Sequence, residues 1–273
     1  MRIKNWRRGS AVVVLAALSL MLAACFFAPG KFTSDLKVGK DRSFSFAYTG
    51  EIYLLPLAEA AKKAQFSPSA CYDDEMAERE CTASELGEQK QTWESEQEDK
   101  RKSDAQAAQY MFGGINPSDP KAADEIADRL RRQAGWKRVD YLGNGKFDVD
   151  FAISGKLDHD FAFPSVERFP MTNAFVQLSV RADGTVRIDA PGYGPASSAM
   201  GAAGMMQGMA MKEDSAEAQG AVADGTFSVT TDAPILANNT DEGPTASAAG
   251  KVLSWTINPR TPSAPTALLK LAP

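Results

Sequence analysis

The sequence predicts an α+β fold, a largely antiparallel β-sheet with a helical insertion between the first hairpin and the remaining strands. Two observations carry the prediction. Apolar residues recur at every second position in short segments joined by Gly, Asn and Asp turns, which is the pattern of half-buried strands. Between the first such pair and the rest, the stretch from Leu54 to Ala134 reads instead as helix.

Taken in order, Lys31 to Val38 and Ser43 to Tyr53 alternate, with Phe44, Phe46, Tyr48 and Ile52 on one side, and Gly39-Lys40-Asp41-Arg42 between them has turn chemistry. Leu54 to Phe66 is helical in composition and is stopped by Pro68. Cys71 and Cys81 follow, ten positions apart. On one continuous helix they would lie ~15 Å apart along the axis, whereas a disulfide needs Cα atoms within ~7 Å. Pairing therefore requires a break in the chain between them. Thr82-Ala83-Ser84-Glu85 reads as a capping box opening a helix to about Met111, polar nearly all round, with Trp93 its only large apolar residue through the middle. Such a helix is a solvated arm or a partner-binding surface.

Ser118 is placed to cap a second helix over Pro120 to Ala134, with Ala123, Ile126, Ala127 and Leu130 on one face and Gly135 ending it. Trp136 to Leu142 and Lys146 to Ser154 flank Gly143-Asn144-Gly145, a strong hairpin signal. Phe161 to Phe169 is aromatic and broken by Pro164 and Pro170. Asn173 to Arg181 and Thr185 to Ala190 form another hairpin about Asp183-Gly184. Residues 191–223 are Met-, Gly- and Ala-rich and read as a flexible loop. Thr226 to Thr231 and Gly250 to Asn258 resume strand character, within a C-terminal part spanning 224–273, and Leu268 to Leu271 suggests a short edge strand. No internal repeat is present.

The start of the chain sets location. Arg2, Lys4, Arg7 and Arg8 precede an apolar run from Ala11 to Ala24, the layout of a secretory signal peptide over residues 1–24. Leu22-Ala23-Ala24-Cys25 resembles the lipobox of bacterial lipoproteins. That resemblance implies cleavage before Cys25, a diacylglyceryl thioether on its sulfur and acylation of its new amino group. Phe26 follows; the sorting rule of enteric bacteria retains proteins with aspartate there at the inner membrane, so its absence favours the outer membrane. Residues 25–31 read as a lipidated N-terminus with a short tether. The expected setting is the cell envelope, anchored and facing the periplasm.

Removing the leader takes four of the 30 Lys and Arg and leaves 26 against 35 acids, a formal charge of −9. An acidic body argues against nucleic acid as a principal partner. In an oxidising compartment the two cysteines other than Cys25 are expected to pair as Cys71–Cys81. The competing metal reading has one histidine, His159, to draw on.

Beyond the anchor, three groups of residues carry possible chemistry. Met200, Met205, Met206, Met209 and Met211 offer soft thioether ligands that suit Cu(I), or equally a loose lipid- or partner-facing surface. Asp158-His159-Asp160 would serve acid–base chemistry only beside a nucleophile such as Ser154 or Ser165; the plainer reading is a solvated histidine. Asp140, Asn144, Asp148 and Asp150 are oxygen ligands without EF-hand spacing or its closing glutamate, and acidic flanks of a hairpin explain them. There is no phosphate loop, Gly-x-Ser-x-Gly elbow or zinc-type histidine pair. The expected function is non-enzymatic: binding of a hydrophobic ligand or an envelope protein near the membrane, with no cofactor besides the lipid on Cys25. Copper binding by the methionines is the alternative.

Residues 31–190 also resemble LppM-type envelope lipoproteins. The shared pattern is a strand pair from Phe32 to Tyr53, a helix ending before Gly135-Trp136-Lys137, the run from Tyr141 to Phe151, and a Gly155-to-Leu157 strand end. The resemblance implies, for a domain over 32–190 with its insertion at 54–134, an antiparallel sheet packed with helix and set on the membrane. Lipid or glycolipid binding is suggested for some members. The Cys71–Met111 insertion is long for this type, the C-terminal membrane helix is missing, and no site residues transfer.

Overall fold

The structure, a computed structural model, describes residues 27–54, 57, 65–73, 76–111, 115, 119–165, 173–195 and 222–271. Strand β1 (Phe27–Val38) follows directly from its alternation. Phe32, Ser34, Leu36 and Val38 are buried while Lys31, Thr33, Asp35 and Lys37 are exposed. It starts five residues before the expected Phe32, because a bulge between Pro29 and Phe32 shifts the phase and buries Phe27 and Pro29 as well. Gly50 of β2 (Ser43–Leu54) faces that bulge at φ 140°, where a Cβ would stand 2.2 Å from the Lys31 carbonyl oxygen. Only glycine fits there.

Between β2 and β5 lie a two-strand ribbon, β3 (Cys71–Tyr72) and β4 (Glu78–Arg79), and helices α1 (Ala83–Met111) and α2 (Ala122–Arg131). The helix expected over Leu54 to Phe66 falls mostly outside the described residues; Leu54 ends β2, and Leu57 is helical and buried. Ala122, Ala123, Ile126, Ala127 and Leu130 form the buried face of α2, which packs on β5. Ser118 lies outside the described residues; the N-cap position is Lys121, without a side-chain cap bond, and Asp119 Oδ1 accepts from its N–H at 2.8 Å in the turn before it.

The remaining strands are β5 (Trp136–Gly143), β6 (Lys146–Lys156), β7 (Phe161–Phe163), β8 (Val176–Val180), β9 (Thr185–Asp189), β10 (Asp224–Thr231), β11 (Ile235–Asn238), β12 (Thr245–Ser247), β13 (Gly250–Ile257) and β14 (Thr266–Lys270). They form two sheets rather than one. The first runs β12-β13-β10-β1-β2-β6-β5 and the second β11-β14-β9-β8-β7. The first is mixed, since β1 and β10 are parallel; the other pairs in both are antiparallel. Two expectations change. Leu268 to Lys270 belongs to an interior strand, because β11, four residues without alternation and so too short to stand out in the sequence, covers β14 on its outer side. The segment from Pro191 opens with a 3-10 turn, Pro191–Tyr193, that carries Tyr193 into the core. The rest of it, 196–221, lies outside the described residues.

Aromatic rings join the sheets. Phe163 of β7 packs 4.7 Å from Phe151 and 5.0 Å from Tyr48. Tyr193 lies 4.3 Å from Phe32 and 5.4 Å from Phe227, and Phe227 stacks at 5.5 Å on Trp255. Each such pair contributes about 0.5–1.5 kcal/mol beyond the area it buries. Buried side chains from both sheets pack in the space between them.

Two phenols inside this seam differ in their hydroxyls. Tyr48 donates to the Glu51 carbonyl oxygen at 2.7 Å, whereas Tyr193, like the nearby buried Ser34, has no partner in hydrogen-bond geometry among the described residues. Burial pushes both phenols well above their ordinary pKa, with Ser34 pulling Tyr193 the other way. Tyr48→Phe should therefore lower stability by about 0.5–1.5 kcal/mol, while Tyr193→Phe should be neutral or stabilising, since it removes an unsatisfied buried group. Denaturant unfolding of both variants checks this; equal losses would contradict it.

Candidate functional site

Three places on the surface bear on function. The first is the start of β1. Phe27 is already buried and paired with Leu54, and its N–H donates to Asn173 Oδ1 at 3.3 Å. Cys25 itself lies outside the described residues, as do Met200, Met205, Met206, Met209 and Met211. Covalent geometry still limits the Cys25 Cα to within ~7 Å of the Phe27 Cα. Residues 27–31 of the expected tether lie in β1, and Cys25 and Phe26 lie outside the described residues.

The second place is the disulfide ribbon. Cys71 and Cys81 are bonded, with Cα atoms 5.2 Å apart. The required break in the chain is the β3–β4 hairpin, whose turn is held by Asp73 Oδ1 accepting from the Ala77 N–H at 2.9 Å. The capping box forms reciprocally: the Glu85 N–H donates to Thr82 Oγ1 at 3.3 Å, and the Thr82 N–H to Glu85 Oε2 at 2.8 Å. Arg79 of β4 then grips the same carboxylate at 2.6 and 2.9 Å, joining ribbon to helix. Together, Arg79 first and Thr82 second, they pull the Glu85 carboxyl down to about 2. Because the folded value is depressed, this contact is fully present above the ordinary carboxylate range and weakens as pH falls from there toward about 2.

Between ribbon and helix opens a cleft of about 520 Å³ lined by Phe66, Cys71, Tyr72, Gln89 and Trp93 among others. Gln89 clamps its floor, accepting from the Ser69 N–H at 2.8 Å and donating to the Ser69 carbonyl oxygen at 3.3 Å. Phe66 and Trp93 meet edge to face at 5.8 Å, Tyr72 is exposed on the same cleft, and Met76 is exposed in the ribbon's turn. No described side chain of α1 is buried. The helix satisfies its charges along its own face, as in Glu98–Lys102 at 2.8 Å.

The third place is a polar cleft of about 830 Å³ at the end of β13, lined by Asp241, Glu242, Trp255, Arg260 and Thr261 among others. Asn239 builds its wall: Oδ1 accepts from Trp255 Nε1 at 3.1 Å and from the Thr266 N–H at 2.8 Å, and Nδ2 donates to the Ala264 carbonyl oxygen at 2.8 Å. These amide groups hold the fold rather than face an incoming ligand.

The remaining expected residues stay apart. His159 is exposed, and its partner is the adjacent Asp158, whose carboxyl it pulls down. Asp160 turns away and accepts from the Val180 N–H at 2.8 Å. No contact joins the imidazole to Ser154 or Ser165 among the described residues. Asp140 and Asp148, opposite each other on β5 and β6, both bind Arg138, which supplies the positive charge a metal would have brought. Asn144 occupies the hairpin tip at φ 50°. Among the described residues no group of three His, Cys, Asp or Glu side chains is arranged to hold a metal, and no helix is long and apolar enough to cross a membrane. Gln89 and Asn239 escaped the sequence reading because a single amide in a polar segment carries no periodic signal.

The ribbon's disulfide closes a small loop outside the aromatic core, worth about 2.5–3 kcal/mol in the chain-entropy model. Cys71→Ala with Cys81→Ala should raise hydrogen exchange across 71–81 by one to two orders of magnitude and leave the cooperative melt of the sheets in place. Collapse of the sheet core in that variant would contradict this placement.

No protein-family model matches the chain, and no curated protein matches it. Among solved structures, the NMR structure of the folded domain of Mycobacterium tuberculosis LppM is similar to it. The two share 12% identity and a TM-score of 0.30, over 90% of this chain and 93% of that one. A similarity of this degree assigns the chain to no family.

Proposed function

We propose that the chain is a lipid-anchored protein of the bacterial cell envelope, without enzymatic activity, whose body binds an envelope partner at the membrane surface. The observation that carries the reading is the junction at Cys25. A lipobox-like Leu22-Ala23-Ala24-Cys25 ends two residues before the buried start of a central strand. Each buried methylene of an acyl chain contributes ~0.8 kcal/mol, so two or three chains on one residue make a lasting anchor. A body attached without a spacer works close to the bilayer, and Phe26 in place of aspartate favours the outer membrane.

Two features support a protein partner over an enclosed hydrophobic ligand. The room between the sheets is taken up by rings such as Phe163, Tyr48 and Tyr193. The exposed Tyr72, lining one cleft with Phe66 and Trp93, instead forms an apolar patch on a disulfide-braced ribbon at the foot of a 29-residue solvated helix. The acidic body leaves nucleic acid aside, and the anchor lipid is the one non-protein group the reading requires.

Expressed from the full sequence in a bacterium that processes lipoproteins, the protein should enter the detergent phase of a temperature-induced detergent split, and Cys25→Ser should remain in the aqueous phase. Equal partition of the two would overturn the reading. A photo-crosslinking residue at Tyr72 should capture a discrete envelope protein that the same residue at exposed Arg187 does not.

A further inference from the structure

The end of the first sheet that carries the anchor also carries an exposed apolar tip. Phe27 pairs with Leu54, Tyr53 pairs with Lys146, and the Leu54 N–H donates to the Gly145 carbonyl oxygen at 2.7 Å. The β5–β6 turn therefore stands level with the start of β1, three strand spacings away, or ~14 Å. At that turn Leu142 is 55% exposed and Tyr141 37%.

Leu142 is exposed by construction. Tyr141 pairs with Phe147 and Gly143 with Lys146, so Leu142 is an extra residue bulged out of the ladder. Gly143, Asn144 and Gly145 then turn the chain with φ of 93°, 50° and 72°. Tyr141 folds back, its hydroxyl accepting from the Gly145 N–H at 3.3 Å and its ring 5.0 Å from Phe147. Nothing in the sheet's own packing calls for a leucine at the bulge.

Charge is absent from the tip itself. Residues 141–145 carry no formal charge, and the nearest charges on either side are neutralised within the fold, Asp140 by Arg138 at 3.2 Å and Lys146 by Glu51 at 3.1 Å. The opposite end, ~35 Å along β1, carries exposed ion pairs: Asp41–Lys156 at 3.0 Å and Lys40–Asp232 at 3.9 Å. The uncharged tip lies at the end of the sheet from which the chain leads to Cys25.

We infer that the Tyr141–Gly145 tip is a second membrane contact: Leu142 enters the interfacial layer of the same bilayer that holds the Cys25 lipid, and the two points fix the body in one orientation with β1 rising from the surface. The inference rests on the lipid-anchored reading above. An aromatic and an aliphatic side chain on an uncharged turn suit the headgroup boundary, and a lipid surface is the one occupant that the attached chain brings to this place by itself.

The test uses the full lipidated protein in phosphatidylethanolamine–phosphatidylglycerol vesicles. With Cys71 and Cys81 bonded and Cys25 blocked by lipid, Leu142→Cys supplies a single reactive thiol for a fluorophore, and Leu236→Cys, exposed on β11, supplies the matched control. Spin-labelled lipid should quench the label at 142 several-fold more than the label at 236, and aqueous iodide several-fold less. Equal quenching at both positions, in protein that floats with the vesicles, overturns the inference and leaves the anchor standing. Protection from iodide without quenching by lipid overturns it in favour of a protein contact. Failure to float, with a free thiol at Cys25, overturns the anchored reading and this one together.

Discussion

Strand β1 is bonded along both edges, antiparallel to β2 and parallel to β10, and everything else depends on that double pairing. On one side it supports β2, β6 and β5; on the other, β10, β13 and β12. Its buried face contributes Phe32 to the rings around Tyr193 and Tyr48, and Tyr48 in turn reaches Phe163 of the second sheet at 5.0 Å. Because β1 begins at Phe27, a load on the N-terminus is carried directly into the centre of the sheet. On the lipid-anchored reading proposed above, a solvated linker would decouple anchor from body, and a strand that begins two residues after Cys25 leaves no room for one.

Much of this was legible in the residues. Alternation with a turn of the right chemistry located β1–β2, β5–β6 and β8–β9, because in each the signal is local: period two on both sides of Gly, Asn or Asp. The capping box at Thr82 and the apolar face of α2 were legible for the same reason. What escaped was non-local. The parallel pairing of β1 with β10 joins residues almost 200 positions apart, and nothing in either strand specifies its partner. β11 is four residues long and borrows its stability from β14, so its own pattern is weak. Tyr193 sits among glycines and prolines, and only the fold shows that it fills the space between Phe32 and Phe227.

The candidate sites divided along the same line. The cysteine pair was readable from number and compartment, though the hairpin that brings Cys71 and Cys81 together was not. The acidic set around Asn144 and the Asp-His-Asp run looked like ligands or catalysts as strings of residues. In space Arg138 neutralises the first, and the second splits into an exposed pair and a backbone-bound aspartate. The adjacent Tyr141 and Leu142 held a readable clue: two large apolar residues in sequence on a strand cannot both face the core. The bulge resolves that conflict by turning leucine outward, at the end of the sheet where β1 starts.

The account as a whole requires that the mature chain begin at Cys25 with lipid on it. Trypsin cutting after the exposed Lys31 would release Cys25-Phe26-Phe27-Ala28-Pro29-Gly30-Lys31, and the mass of that one peptide is the most direct measurement. The account predicts a peptide starting at Cys25 and heavier by a diacylglyceryl group plus an amide-linked acyl chain. A peptide of unmodified mass, or one that still carries Ala24, would contradict it.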